Sequence, residues 1–383
     1  MTMITGYKLK DGAFLQADIL LTSRDKWMKS SPVPSFKPNE SSPSLDEHIV
    51  AGLCQKILVV NKHLAVAFAG DVLAIKIAVE VIDDLVKQSS NVSGMRLVDA
   101  LQADPVLKKA NLAVIALIVE GEEIQVSQYG ASFGTFNEHF ELWVGGTGAD
   151  HAIEHFDGYP PEAFDVAEDD IVITGTCMAL HQFANQLIAE FDDEFESESI
   201  ANLFGGGYEV LAFYGGRFQK VPNVVYAFAE AEMDAEGILQ IDYPKFLLKS
   251  TYVGDDLKIR SVEVEQSEDY DLYIPRNDRS FTIAPITRWD ETKVDENCQD
   301  VKFYGDFLCF IIKVNTQSDS FTIPFIRKYR DSRFFMYEGF IASVSEDEVH
   351  IGYSDVFLKE LEGTVFDYYG QMKAMALLEK PTV

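Results

Sequence analysis

Apolar and polar positions alternate from the start of the chain. Thr2–Leu9 and Ala13–Leu20 read as two strands flanking Lys10-Asp11-Gly12, an Asp-Gly hairpin turn. The alternation then stops. Residues 26–48 hold Ser30, Ser31, Pro32, Pro34, Ser35, Pro38, Ser41, Ser42 and Pro43, the composition of a flexible surface insertion. Strands resume at Lys56–Val60 and Leu64–Ala69, joined by Asn61-Lys62-His63. From Asp71 the period becomes helical: Val72, Ile75, Val79, Ile82 and Val86 recur at steps of three and four and share one face. Residues 94–110 give a second helical stretch. Leu112–Val119 and Ile124–Tyr129 make a hairpin around Gly121. Glu141–Val144 is a strand running into Gly145-Gly146-Thr147-Gly148 and a further helix. Leu180, Ala184, Leu187 and Phe191 mark another helix, and Tyr208–Tyr214 turns through Gly215-Gly216 into Arg217–Val221.

Strands and helices therefore fall in blocks rather than in strict alternation, which predicts an α+β chain and not a doubly wound parallel sheet. Two antiparallel sheets sandwiched between helix pairs satisfy that order. After about residue 222 the chain turns rich in Tyr, Phe, Asp and Glu, with short alternating segments at Leu257–Val264, Phe281–Ile286, Phe307–Val314 and His350–Tyr353. We read two domains, 1–222 and a β-rich 223–383 closed by helical turns at 357–379.

Composition narrows the function classes. Among 383 residues, 47% are hydrophobic, enough for a sizeable core. The net charge of −30 repels nucleic acid and anionic membranes, so neither is expected as a partner. The four cysteines, Cys54, Cys177, Cys298 and Cys309, form no CxxC pair, and Cys54 and Cys309 sit in apolar runs, which suits buried thiols in a reducing compartment. Lys8, Lys10 and Asp11 precede any apolar stretch, so no signal peptide is expected, and the run Leu112–Val119 is too short to span a bilayer. The expected location is the cytoplasm.

The candidate chemistry begins at the second residue. Removal of Met1, which small second residues permit, would give Thr2 a free α-amine beside its own hydroxyl, a nucleophile and base in one residue. Asp18 follows sixteen residues on, ending Phe14-Leu15-Gln16-Ala17-Asp18, and Thr22 lies four further. Lys56 opens Lys56-Ile57-Leu58-Val59-Val60, Gly70 lies fourteen beyond it in Ala67-Phe68-Ala69-Gly70, and Gly146-Thr147-Gly148 precedes a helix. In order and spacing these segments resemble the proteasome β-type subunits, N-terminal nucleophile hydrolases, over residues 2–221.

The resemblance implies a four-layer αββα sandwich and a catalytic set. Thr2 would be the nucleophile, and Lys56 would favour the neutral amine and incipient alkoxide. Asp18 would pair with Lys56, the Gly70 N–H would donate to the oxyanion, and Thr147 would orient the amine. Thr22 would line the substrate site. It further implies a peptide or protein substrate, cleavage of an amide through an acyl-enzyme, assembly with other copies of the chain, and neither cofactor nor metal. The sequence departs from the family in four places, one being the interval from Asp18 to Lys56, which residues 26–48 make much longer than usual. Ile19 and Leu20 follow Asp18 where the family has Asp-x-Arg. Asn202 and Gly205 stand where it has the Asp and Ser of Asp-x-x-Ser-Gly. Residues 223–383 lie beyond its usual length.

Other readings stand beside this one. A catalytically inactive scaffold of the same fold would keep Asp18 and Lys56 as a structural pair. His151-Ala152-Ile153-Glu154-His155 matches H-x-x-E-H, the pattern of a zinc peptidase with Glu154 as base. Gly130-Ala131-Ser132-Phe133-Gly134 matches G-x-S-x-G, but a nucleophile elbow needs a helix after it, and Thr135–His139 reads as a connection to a strand. The threonine reading makes a direct prediction. Natively produced protein should lack Met1 in intact mass spectrometry, and complete retention of Met1 would rule the mechanism out, because the α-amine would be locked in an amide.

Overall fold

The structure is a computed structural model, and it describes residues 2–25, 27–35, 48–191, 202–267, 272–296, 298–328 and 339–378. The chain divides into two units. The first takes in Met1–Val221 with Tyr252–Lys258 and Phe281–Val294. The second takes in Pro222–Thr251, Ile259–Ser280 and Asp295–Val383. Among the described residues strand is commoner than helix.

In the first unit the strands are β1 (Met3–Leu9), β2 (Gly12–Asp18), β3 (Leu20–Ser23), β4 (Ile49–Leu53), β5 (Ile57–Asn61) and β6 (Leu64–Gly70). Helices α1 (Val72–Gln88) and α2 (Gly94–Ala103) follow. Next come β7 (Leu112–Glu120), β8 (Glu123–Tyr129), β9 (Ser132–Phe136), β10 (Phe140–Gly146), α3 (Ala149–Asp157), α4 (Ile171–Phe191), β11 (Tyr208–Tyr214) and β12 (Arg217–Lys220). They build a six-stranded sheet of order β12-β11-β2-β1-β10-β9, a four-stranded sheet of order β5-β6-β7-β8, and the pair β3-β4.

The period of two along β6 and β7 decides how these sheets pack. Ala65, Ala67 and Ala69 of β6, with Ile115 and Leu117 of β7, join Ile4, Leu15 and Ala17 of the six-stranded sheet in one buried cluster. The intervening Val66, Phe68, Val114 and Ala116 face the other way, onto Ile75 and Ile82 of α1 and Leu97 and Leu101 of α2. Alanines between the sheets and larger residues toward the helices let the sheets approach while the helix layer is filled. On the far side of the six-stranded sheet, Tyr7 stacks on Phe14 at 4.9 Å and meets Phe156 of α3 at 5.0 Å. Its hydroxyl donates to the Gly175 carbonyl of α4 at 2.7 Å.

Several expectations need adjustment. The hairpin turn is Lys10-Asp11, with the positive φ (49°) at Lys10 and not at a glycine. Lys10 is held there by its N–H to His139 and its ammonium to Asp165 and the Val166 carbonyl. Gly12 lies in β2, where a Cβ would meet Ile171 of α4 at 2.3 Å, so packing and not the turn requires glycine. The helical stretch 94–110 breaks into α2 and a single 3-10 turn at Leu107–Lys109, because Pro105 cannot continue the helix. Of residues 26–48, Val33 and Ser35 are buried, and 26 and 36–47 lie outside the described residues.

The second unit is built on the strand Val224–Met233. It pairs parallel with Phe307–Asn315 (Val225 opposite Leu308) and antiparallel with Phe246–Val253 (Val225 opposite Lys249). The helical turns read at 357–379 are one helix, Asp355–Leu378, and 379 lies outside the described residues. Phe357, Leu361 and Val365 of that helix pack on Val225, Ala227, Phe310 and Ile312.

Gly175 supplies a test of this packing. A Cβ there would sit 2.2–2.7 Å from three ring carbons of the buried Phe14. Overpacking costs about 1–3 kcal/mol, whereas Gly→Ala in a helix gains only about 1 kcal/mol. Gly175→Ala should therefore lower the melting temperature followed by circular dichroism, in spite of its better helix propensity.

Candidate active site

The site lies where strands end. Thr2 precedes β1, Asp18 closes β2, Lys56 precedes β5, Gly70 closes β6 and Gly146 closes β10. The β1–β2 register pairs Ile4 with Ala17, which sets Asp18 beside the start of the chain, and the Met3 N–H donates to Asp18 Oδ1 at 2.9 Å. The same Oδ1 accepts from Lys56 Nζ at 2.8 Å, while Oδ2 accepts the backbone N–H groups of Leu20 and Gly205, both at 3.0 Å. Lys56 Nζ also donates to the Leu20 carbonyl at 2.7 Å. Asp18 is 0% and Lys56 2% exposed. Burial pulls the Lys56 ammonium below its ordinary pKa, and the charge and hydrogen bond of Asp18 oppose that pull.

Thr2, Thr22, Lys56 and Gly70 line one cavity with Leu21, Cys54, Val72, Ile75, Ile286 and Trp289. The cavity is about 30 Å³, more than the ~10–15 Å³ that one water needs. Gly70 has φ +123°, and a Cβ there would meet the Asn111 carbonyl oxygen at 2.1 Å, so strand pairing demands glycine at this edge of the cavity. Gly146 (φ +87°) is required in the same way, since a Cβ would lie 1.8 Å from the Thr2 carbonyl oxygen. The Gly148 N–H donates to that oxygen at 3.3 Å. The Gly148 N–H thus holds the Thr2 carbonyl and Gly146 leaves room for it, while Thr147 itself is exposed.

A second nucleophile candidate, Cys54, also faces the cavity. Burial pushes its thiol up to about 12, with Lys56 opposing weakly. It is neutral near pH 7 and a poor nucleophile there, which leaves the Thr2 hydroxyl as the group to consider.

Two buried glutamates escaped the sequence reading. Glu209 of β11 accepts the backbone N–H groups of Lys56 and Ile57 (2.7 Å for Ile57), and pairs with Lys220 at 2.7 Å. It fixes the backbone from which the Lys56 side chain extends. Glu190 of α4 accepts from the Ser35 hydroxyl, from the Gly206 N–H at 3.0 Å and from the Tyr208 hydroxyl at 2.9 Å. It holds the loop that delivers Gly205 to Asp18. The available signal was an acid inside an apolar run, as in Tyr208-Glu209-Val210-Leu211 and Ile188-Ala189-Glu190-Phe191.

The H-x-x-E-H residues lie on α3, but their imidazoles go to different partners. His151 Nε2 is 3.1 Å from Asn202 Nδ2, and His155 Nε2 is 3.1 Å from the Met178 carbonyl. Among the described residues no group of three or more His, Cys, Asp or Glu is placed to hold a metal ion. The G-x-S-x-G serine begins strand β9, not a helix. No described helix is long and apolar enough to cross a membrane.

His155 carries a pH test. Burial, then the neighbouring His181, pull it down to about 4. Its unfolded value is about 6.5, so between these limits the unfolded chain binds a proton that the folded chain does not. Stability should therefore fall on acidification from pH 6.5 to 4, by about 3 kcal/mol for this residue. The loss of stability between pH 6.5 and 4, followed by urea unfolding, should be smaller in His155→Gln than in wild type by about this amount.

No family model matches the sequence, and no curated protein matches it. The solved structures similar to it include the following two. Eukaryotic HslV from Trypanosoma brucei is 13% identical over 55% of this chain and 98% of its own, with a TM-score of 0.33. The Gly-1 mutant of Anbu from Hyphomicrobium sp. strain MC1 is 14% identical over 57% of this chain and 86% of its own, with a TM-score of 0.38. Likeness of this degree assigns no activity.

Proposed function

We propose that the first unit is a four-layer αββα N-terminal nucleophile domain and that the protein is a threonine hydrolase of peptide bonds, acting once Met1 is removed. The observation that supports this best is the buried Lys56 ammonium, paired with Asp18 and opening on the same cavity as Thr2 and Gly70. The Thr2 α-amine takes the proton of the Thr2 hydroxyl, and Oγ attacks the substrate carbonyl carbon. The Gly70 N–H donates to the oxygen that gains the negative charge. Collapse breaks the C–N bond, the Thr2 ammonium returns its proton to the departing amine, and an ester to Thr2 remains. Water, activated by the same amine, hydrolyses the ester. Lys56 keeps the amine neutral and favours the alkoxide, and Asp18 keeps Lys56 from being an unpaired buried charge. Thr147, at the surface beside Gly146, would act on the amine only once that amine is free. The resemblance to proteasome β-type subunits further suggests assembly of several copies, and residues 223–383 as a separate domain beyond the catalytic one.

A second reading, an inactive scaffold, draws support from Gly205. It stands where the family has a serine, and its N–H is spent on Asp18.

A peptide electrophile applied to protein with a mass-verified free Thr2 separates the two. The threonine reading expects one adduct on the N-terminal peptide, none in Thr2→Ala, and a loss of at least tenfold in labelling rate in Lys56→Ala. Asp18→Ala should lose labelling and about 3–5 kcal/mol of stability, since it strands Lys56. Absence of any adduct on the free Thr2 supports the scaffold.

A further inference from the structure

The cavity beside Thr2 is closed on one side by residues from far along the chain. Ile286 and Trp289 belong to Phe281–Val294, which is part of the first unit. This segment is laced to the residues leading into Lys56. The Gln55 N–H donates to the Ala284 carbonyl at 3.1 Å and Gln55 Nε2 to the Ile283 carbonyl at 2.8 Å. The Thr292 hydroxyl bonds both the Leu53 N–H and the Leu53 carbonyl at 3.1 Å. Between these ties Arg288 pairs with Asp255, Asp256 and Asp290. Trp289 sits at φ +58°, a conformation that costs a bulky residue energy and persists only where the surroundings impose it. Its ring lies under Lys76 of α1, with Nζ 5.1 Å from the centroid. Ile286 is 1% exposed. The wall is thus a fixed part of the site.

We infer that Ile286 and Trp289 set the substrate's side-chain preference, confining the residue whose carbonyl Thr2 attacks to a small apolar side chain of the alanine class. The inference rests on the threonine reading above. The lining is apolar at Leu21, Val72, Ile75, Ile286 and Trp289, and its one charged side chain, Lys56, already has its counterion in Asp18. A charged substrate side chain would lose its water there without a partner. About 30 Å³ is roughly a fifth of the ~150 Å³ apolar cavity that binds a benzene ring, a space on the scale of a methyl group and not of an isobutyl or benzyl group.

Three peptide electrophiles that differ only in carrying alanine, leucine or phenylalanine next to the reactive group test this. They are applied to wild type, Trp289→Ala and Ile286→Ala, each with a verified free Thr2. Wild type should label faster with the alanine probe than with the leucine probe by on the order of tenfold or more. Each variant should narrow or reverse that ratio. A ratio within one protein does not depend on how much of it is folded, and Ile286→Ala carries the test if Trp289→Ala does not fold. Equal labelling of wild type by all three probes, or an unchanged alanine-to-leucine ratio in both variants, overturns the inference while the nucleophile stands. Absence of labelling by every probe in every protein overturns the threonine reading and this one together.

Discussion

The first unit is organised around one buried ion pair. Two unit charges taken out of water cost several kcal/mol each, and their attraction repays this only when the remaining lone pairs and protons are also met. Asp18 meets the condition with four donors, and Lys56 adds the Leu20 carbonyl. Those donors come from the start of the chain, from the bend between two strands, from the strand at Lys56 and from the loop at Gly205. The carboxylate therefore ties four separate segments to one point. Any of them out of place leaves a buried charge short of a partner.

The same demand propagates outward. Lys56 can stand at this point only if its backbone is held, and Glu209 holds it through two N–H groups. Glu209 is a buried charge in turn, and Lys220 answers it. Gly205 can reach Asp18 only if its loop is pinned, and Glu190 pins the neighbouring Gly206 and Tyr208. Three buried acids and two buried or half-buried ammonium groups thus form an electrostatic frame behind Thr2. The apolar layers supply the rigid support: the alanine face between the sheets brings the strand ends close enough for these short bonds.

That frame also bears on the two candidate nucleophiles that line the cavity. Cys54 is intrinsically the better nucleophile, but its thiol is neutral in this setting, with burial outweighing the help of Lys56. Thr2 needs no thiolate, since its base would be its own amine.

Much of the fold was legible in local pattern. Period two and period 3.6 are properties of neighbouring residues, so β7, β8, α1 and β11 could be read within a residue or two. Thr2, Asp18, Lys56 and Gly70 were picked out by a resemblance in order and spacing to a known family, and the fold sets them at or next to strand ends. Local pattern misled where another element made the decision. Gly12 signals a turn in the sequence, yet α4 requires it. His151 and His155 are spaced for a metal, yet Asn202 and the Met178 carbonyl take them. Glu209 and Glu190 stood out only as acids in apolar runs, with no role attached, and Ile286 and Trp289 carried no signal of a place in the cavity wall. A buried acid is intelligible only through the donors that surround it, and a cavity wall only through the space it closes. Those partners lie far apart in the chain, and tertiary packing alone brings them together.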